Sequence, residues 1–277
     1  MNSLASLIPG APQEVASNPA EAKYFDRIKN DYQGLVKEYA KLEDSKGGRV
    51  INTDVARELS PEYRADRTRS ADIHEPSSKL AKMMYAAKLA NATPEGLQKR
   101  VIFSAGGTGA GKTTALDQLA EVDPIIKKAA LIYDTNMNSL DSADKKIQQA
   151  LDASHQAMIA YTYRDPVEAL TGGALPRARR MEEKLGTGRT VPLSEHLKTH
   201  IGSRRVIEQL AEKYKDNPNV AIKVIDNSRG KGNAIASSLD NLPRFNENEL
   251  KGKLQDALQR EYASGRISHA IYTGTNS

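Results

Sequence analysis

The residues with the plainest chemistry form one short glycine-rich segment in the middle of the chain. The segment 106–113 reads GGTGAGKT and fits the pattern G-x-x-x-x-G-K-[ST] at every position. Glycines let a backbone fold into a nest of N–H groups around one phosphate, and a following helix adds its positive N-terminus. We expect Lys112 to bind the outer phosphates of a nucleotide and the Thr113 hydroxyl to hold Mg²⁺. The predicted nucleotide-binding residues are Gly106, Gly107, Thr108, Gly109, Ala110, Gly111, Lys112, Thr113 and Thr114.

A second candidate is an acidic residue that follows an apolar run. Asp134 comes directly after ALIY at 130–133, as an acid at the end of a buried strand would. In phosphate-loop proteins such an acid holds Mg²⁺ through water or contacts the substrate. We therefore assign Asp134 and Thr135 to substrate binding. The alternative is an Asp that only caps a turn.

A third candidate is a cluster of basic residues within the segment 172–192. Phosphoryl transfer spreads negative charge over the equatorial oxygens, and arginines on a closing lid would stabilise that charge. The alternative is a solvated basic helix face that pairs with Glu182 and Glu183. The basic residues are Arg177, Arg179, Arg180, Lys184 and Arg189.

The elements that must position these residues alternate along the chain. Apolar, β-rich runs predict strands at 50–51, 100–104, 129–133, 157–163, 220–225 and 267–272. Helical periodicity predicts helices at 21–44, 76–89, 112–120, 143–154, 194–214 and 247–262. This alternation indicates a three-layer α/β fold of the P-loop NTPase or kinase-like type, with a parallel central sheet. We expect a flexible tail over 1–20, an N-terminal helical extension over 21–46 and a kinase-like domain over 47–277, with a lid at about 172–192.

Composition excludes several classes of function. The 277 residues contain no Cys, which excludes disulfides, thiolate zinc sites and cysteine catalysis. They contain no apolar run of about 18 residues, so we expect no transmembrane helix and a cytoplasmic protein. The net charge of +5 suits phosphate-bearing ligands, but the 11 Tyr and 3 Phe show no cluster on strands that bases could stack on, and Trp is absent. Nucleic acid is therefore disfavoured as a partner.

The sequence resembles the zeta-toxin-type P-loop kinases, which in bacteria phosphorylate small metabolites such as UDP-N-acetylglucosamine. The resemblance rests on the glycine-rich loop, on LIYDT at 131–135, on GRTVP at 188–192 and on VIDNS at 224–228. It implies that Arg189 contacts the transferred phosphate. It also makes Arg177, twelve residues earlier, the first arginine of the lid, with Arg180 as a rival for that role.

One segment of the family stands in an unexpected place. These kinases have a catalytic segment I-(D/N)-x-D-x-x-R after the P-loop, and nothing at 114–133 fits it. The segment INTDVAR at 51–57, before the P-loop, resembles it closely. We infer that two units have exchanged order, as neighbouring parallel strands would permit. Asp54 would then be the general base and Arg57 a clamp for substrate or phosphate. The alternative is a capping loop with a structural Asp54, which leaves the chain without an obvious base.

The resemblance implies a toxic kinase that transfers the γ-phosphate of ATP or GTP, with Mg²⁺, to a hydroxyl of a nucleotide-like metabolite. Its catalytic residues would be Asp54, Lys112, Arg177, Arg180 and Arg189. An antitoxin or immunity protein would be the expected partner. The protein would be cytoplasmic, whether bacterial, phage-encoded or an effector delivered to a target cytoplasm. Two other classes stay open: a P-loop ATPase that drives a mechanical step, and a non-catalytic nucleotide-binding interaction protein.

Overall fold

The computed structural model describes residues 16–230 and 232–277, with the side chain of Val122 left out. Residues 1–15 of the predicted tail lie outside the described residues, and the first helix begins at Pro19. Among the described residues, no helix combines the length and the apolar character that crossing a membrane needs.

The described residues form one six-stranded sheet, which is mostly parallel. Its strands are β1 (Val50–Asn52), β2 (Gln98–Ala105), β3 (Ala129–Asp134), β4 (Gln156–Tyr163), β5 (Val220–Asp226) and β6 (Ile235–Ser237). The spatial order is β1-β3-β2-β4-β5-β6, and only the last pairing is antiparallel. The mixed α/β fold with a largely parallel central sheet, predicted from the alternation of elements, is confirmed.

Helices cover both faces of this sheet. They are α1 (Pro19–Asn30), α2 (Tyr32–Lys41), α3 (Thr53–Arg57), α4 (Pro61–Ala65), α5 (His74–Ala90), α6 (Lys112–Val122), α7 (Pro124–Lys127), α8 (Leu140–Asp152), α9 (Pro166–Ala169), α10 (Leu175–Leu185), α11 (Leu193–Tyr214), α12 (Glu247–Ala263) and α13 (His269–Asn276). One turn of π-helix, Leu170–Ala174, joins α9 to α10.

Strand side chains alternate between two apolar clusters, which define the three layers. Phe103 of β2 packs in the larger cluster with α1, α2, α5, α8 and α11, whereas its neighbour Ile102 packs in a cluster with α6 and α7. This alternation follows from the two-residue period of a strand. The helices α1 and α2 share the larger cluster through Tyr24, Leu35 and Tyr39. The predicted N-terminal extension therefore packs on the same core as the sheet.

The strand that precedes Asp54 lies one position further from the P-loop strand than expected. We expected the two exchanged strands to be neighbours, but β3 lies between β1 and β2 and pairs with both. All three strands are parallel, and Asn52, Asp134 and Ser104 lie side by side in register. Because the carboxyl ends of parallel strands meet at one edge, the exchange in chain order still leaves Asp54 and the P-loop at the same edge.

Two predicted elements differ in the structure. The helix predicted over 21–44 is two helices that meet at Asp31, whose carboxylate accepts a hydrogen bond from Gly34 N at 3.1 Å and so caps α2. The strand predicted at 267–272 is wrong. Ser268 caps α13, and Ile267, just before the cap, and Ile271, within the helix, are both buried.

Asp31→Ala removes this cap and should lower the free energy of unfolding by about 1 kcal/mol, the usual cost of an N-cap. Gln33→Ala, an exposed position in the same first turn, is the matched control and should change little. Urea denaturation followed by circular dichroism measures both. Equal stability of the two variants would contradict the assignment of Asp31 as the cap.

Candidate active site

The glycine-rich loop lies between β2 and α6, where the sequence predicted a phosphate-binding nest. Gly106 and Gly109 have φ angles of 133° and 75°, which residues with a Cβ atom rarely adopt. A Cβ on Gly106 would also lie 2.2 Å from the carbonyl oxygen of Thr162, and one on Gly109 would lie 2.2 Å from that of Ala169. The loop thus needs glycine for its backbone conformation and for its close approach to neighbouring backbone.

Lys112 begins α6, and its ammonium group turns back over the loop. Its Nζ donates to Asn136 Oδ1 at 2.8 Å and lies 3.3 Å from Gly106 O and 3.5 Å from Gly107 O. Burial lowers the pKa of Lys112, and the carboxylates of Asp134 and Asp54 act in the opposite direction. Asn136 was missed by the sequence analysis, although it stands two residues after the predicted Asp134.

The tip of the loop is held by side chains from α11. Thr199 Oγ1 accepts from Thr108 N at 3.2 Å, and His200 Nε2 lies 2.9 Å from Thr108 O, so the proton sits on Nε2. A Cβ on Gly107 would be 2.3 Å from three atoms of the His200 ring. Sequence reasoning missed Thr199 and His200, because no local pattern links α11 to a loop about ninety residues earlier.

The residue directly after β5 makes a further hydrogen bond to the loop. Asn227 Nδ2 donates to Ala110 O at 2.8 Å. The segment VIDNS that contains Asn227 was singled out by the resemblance but received no role there. Three neighbouring elements therefore fix the backbone of the loop: α11, the segment after β3 and the segment after β5.

Asp54 lies in the first turn of α3, directly after the short strand β1. Asn52 Oδ1 accepts from Asp54 N at 2.6 Å and so starts the helix. The carboxylate pairs with Arg57 at 2.5 Å and, through its other oxygen, with Arg189 of the predicted lid. Burial alone would raise the pKa of Asp54, but Arg189 and Arg57, with a contribution from Arg177, hold it well below its usual range.

Asp134 lies in a row of polar side chains across three strands. Asn52 Nδ2 donates to one carboxylate oxygen at 2.6 Å, and Ser104 Oγ donates to the other. Thr135 N lies 3.3 Å from the same Ser104 hydroxyl. Both oxygens of Asp134 therefore accept from uncharged side chains, whereas both oxygens of Asp54 pair with arginines.

The predicted lid contributes two of its arginines to this site. Arg177, in the first turn of α10, and Arg189, in the loop that follows α10, both act electrostatically on Asp54 and on Lys112. Arg180 is exposed, and the structure does not bring it into this group. Arg179 is exposed as well and pairs with Glu183 at 3.4 Å, as the solvated-face alternative predicts.

The π-helical turn explains how α10 can approach the P-loop so closely. Its Gly173 packs against Gly109, and a Cβ on Gly173 would lie 2.4 Å from Gly109 O. Turns of π-helix inside helical segments are frequent at functional sites. Here the turn brings Arg177, four residues beyond Gly173, to the edge of the nest.

The site carries more positive than negative charge. Four cationic side chains meet two carboxylates, so the excess is 4 − 2 = 2 positive charges. Uncompensated positive charge is costly where the cations are largely buried, as Arg57 and Arg189 are, and a multiply charged anion would offset it. The charged groups are Lys112, Arg57, Arg177, Arg189, Asp54 and Asp134.

The residues present fit a magnesium ion that keeps most of its own water. Within residues 16–230 and 232–277, no three His, Asp or Glu side chains are placed to hold a metal. Mg²⁺ in nucleotide sites needs no such cage, since phosphates and waters supply most of its ligands. Thr113, exposed in the first turn of α6 beside Lys112, would provide one hydroxyl ligand.

The fold and this loop together place the chain in the class of α/β P-loop proteins, in which helices flank a largely parallel sheet and a glycine-rich loop joins a strand to a helix. Within that class, residues 123–235 match the family described as zeta toxin. This match confirms the resemblance to the zeta-toxin-type family, whose members are kinase-like nucleotide-binding proteins.

Comparisons with solved structures and with curated proteins add no support for the family. One solved structure, described as the PezAT chromosomal toxin-antitoxin system of Streptococcus pneumoniae, is 12% identical and covers 93% of this chain and 92% of that chain, with a TM-score of 0.38. That score is too low to establish a shared fold. No curated protein matches the chain.

Two buried histidines beside the P-loop should make stability fall in mild acid. Burial lowers the pKa of His196 to about 4 and that of His200 well below its usual range, so both rings are neutral in the folded protein at pH 7. Below pH 6.5 the unfolded chain gains protons that the folded chain does not. The free energy of unfolding should therefore drop between pH 6.5 and 4, by up to about 1.4 kcal/mol per pH unit for each histidine.

His196→Gln removes one of these two groups and keeps an N–H that can donate to Pro166 O, the partner of His196 Nε2 at 2.8 Å. Its stability should fall less steeply over the same pH range in urea denaturation. The pH window separates the histidines from Asp54, whose lowered pKa costs stability only as the pH falls below 3.8. Identical slopes for variant and wild type would rule out His196 as a source of the effect.

Proposed function

We propose that this protein transfers the γ-phosphate of ATP or GTP to a hydroxyl of a small nucleotide-like metabolite, UDP-N-acetylglucosamine or a similar compound. The observation that carries the proposal is the meeting of Asp54, Lys112, Arg177 and Arg189 at one edge of the sheet. A nucleotide-binding protein without transfer chemistry has no need of a carboxylate held by arginines in front of its phosphate loop.

In this proposal the loop and Lys112 bind the β- and γ-phosphates, and Thr113 holds Mg²⁺, which neutralises charge on those phosphates when bound. Arg177 and Arg189 stabilise the charge that spreads over the transferred group. The net excess of two positive charges supports these roles. Arg180, which is exposed, has no such support.

Asp54 accepts the proton of the attacking hydroxyl. Its pKa is low while Arg189 pairs with it, and a carboxylate in that state is a weak base. When Arg189 engages the phosphoryl group instead, Asp54 loses one cation and its pKa rises. Arg57 keeps the second pairing, and its Nη2 also lies 2.6 Å from His74 Nδ1, which fixes the orientation of the carboxylate.

Asp134 and Thr135 position the acceptor. Because Asn52 and Ser104 engage both oxygens of Asp134, this carboxylate suits orientation better than proton transfer. The zeta-toxin match further supports an activity that is toxic in a bacterial cytoplasm and a partner that neutralises it, an antitoxin or an immunity protein.

One experiment separates this function from its two rivals. The protein is incubated with Mg-ATP and a small-molecule extract, and the products are analysed by mass spectrometry. A metabolite that gains the mass of one phosphate supports the kinase. Release of ADP and free phosphate alone would favour an ATPase, and bound but unchanged ATP would favour a binding module.

Arg189→Ala should lower kcat by roughly 10²-fold or more and change ATP affinity much less, since a lid arginine acts mainly on the transition state. Arg179→Ala, on the same lid but paired with Glu183 at the surface, is the matched control and should keep wild-type kcat. Steady-state kinetics and equilibrium binding measure the two quantities. Equal losses in kcat and affinity would make Arg189 a ground-state binding residue.

Asp54→Asn keeps the shape of the side chain and removes the proton acceptor. It should spare nucleotide binding and lower transfer by about 10²–10⁴-fold, the usual contribution of general-base catalysis. Lys112→Ala is the companion variant and should lose both binding and transfer. Near wild-type turnover of Asp54→Asn would remove Asp54 as the base.

A further inference from the structure

The base-bearing segment is the stretch 50–57, which contains the proposed base Asp54. It begins with an edge strand of only three residues, β1. Strand β1 pairs with β3 on one side only. The backbone groups of Ile51 face β3, so those of Val50 and Asn52 face outward, where no strand follows. A strand this short makes few backbone hydrogen bonds to its single neighbour. The unpaired N–H and C=O groups on its outer side need other partners. Asp54 lies two residues after the end of this strand.

A tyrosine from the N-terminal helices covers that edge. The Tyr39 hydroxyl donates to Val50 O at 3.0 Å and accepts from Asn52 N at 2.9 Å, and it lies 3.4 Å from Asn52 O, so one OH group contacts three of the outward backbone groups. Tyr39 is 1% exposed. Burial raises the pKa of Tyr39 above its usual range, so the phenol stays protonated and able to donate.

Two further side chains of the same helices hold the segment beyond Asp54. Tyr24 OH donates to Ala56 O at 2.5 Å, at the end of α3. Arg27 donates to Leu59 O at 2.9 Å. Together with Tyr39 they form a set of three contacts, which we name the base-segment cradle.

The cradle connects to the candidate active site through Asn52. Tyr39 fixes the backbone of Asn52, whose side chain caps the Asp54 amide and donates to Asp134 Oδ2. A shift of Asn52 would therefore displace both carboxylates together. The P-loop is also held from α11 and from the segment after β5, by contacts that do not pass through Asn52.

We propose that α1 and α2 are a positioning element for phosphoryl transfer, with Tyr39 as the positioning residue that fixes Asp54 and Asp134 through Asn52. The inference rests on the proposed function for its catalytic consequence. Its structural content, that the Tyr39 hydroxyl holds residues 50–54, stands on the contacts alone. In this chain the helical extension therefore has a defined task in the reaction.

Tyr39→Phe tests the proposal, because it removes one oxygen and keeps the packing of the ring. Its matched control is Tyr85→Phe, which also removes a buried hydroxyl bonded to a backbone carbonyl, that of Lys146 at 2.8 Å on α8. We expect similar small losses of melting temperature for both. Only Tyr39→Phe should lower kcat, by about tenfold, with unchanged affinity for ATP, since misplacing a reacting group slows the chemical step.

Two measurements keep the test decisive. Hydrogen exchange in a peptide covering residues 50–57 should speed up in Tyr39→Phe and not in Tyr85→Phe, whether or not the protein proves to be a kinase. In the Asp54→Asn background, Tyr39→Phe should lower kcat by less than it does in the wild type, since coupled residues are not additive and only the placement of Asp134 is left to lose.

Unchanged exchange at 50–57 in Tyr39→Phe overturns the proposal outright. If Tyr39→Phe exchanges faster at 50–57 but keeps wild-type kcat, Tyr39 holds the segment without affecting the reaction. An equal loss of kcat in Tyr85→Phe would likewise contradict a specific role of Tyr39 in the reaction. Absence of phosphoryl transfer by the wild-type protein would overturn the proposed function instead, and the exchange result would still decide whether Tyr39 holds the segment.

Discussion

Asp54 is held between two arginines, Arg57 from its own helix and Arg189 from the lid, and this ion triad depends on most of the fold. The carboxylate must leave β1 at the carboxyl edge of the sheet, and α10 must end close enough for Arg189 to reach it. Because the cations outnumber the carboxylates around Lys112, the arrangement is balanced best by an anion. The helices, the π-turn and the edge strand all serve to bring these charges to one place.

The order of the strands in space, rather than their order in the chain, makes this convergence compatible with the exchanged segments. Strand β3 lies between the strand that leads to Asp54 and the strand that leads to the P-loop, and all three end at the same edge. Asn52, Asp134 and Ser104 share one register across them. The match to the zeta-toxin family covers residues 123–235, beginning after the P-loop. The base-bearing segment and the P-loop thus lie outside the matched region.

Local patterns predicted the P-loop, five of the six strands and most long helices, because glycine spacing, apolar periodicity and capping act within a few residues. They failed where a nearby residue competes with the periodic signal. Asp31 interrupts an apolar stripe that continues through it, and Ser268 starts a helix in a run that reads as β-rich. The sixth observed strand, β6, was not predicted, because its three residues form no buried apolar run and two of them are exposed.

By itself, the sequence determined the chemistry on offer: a phosphate nest with its lysine, a displaced Asp-Arg segment and a group of lid arginines. Only the tertiary structure decided which of them meet. It brought Arg177 and Arg189 to Asp54 and left Arg179 and Arg180 in solvent. It also recruited Tyr39, Asn136 and His200, whose partners lie between 11 and 92 residues away. No local pattern records such contacts, because they arise when the folded chain buries backbone polar groups that must find a partner.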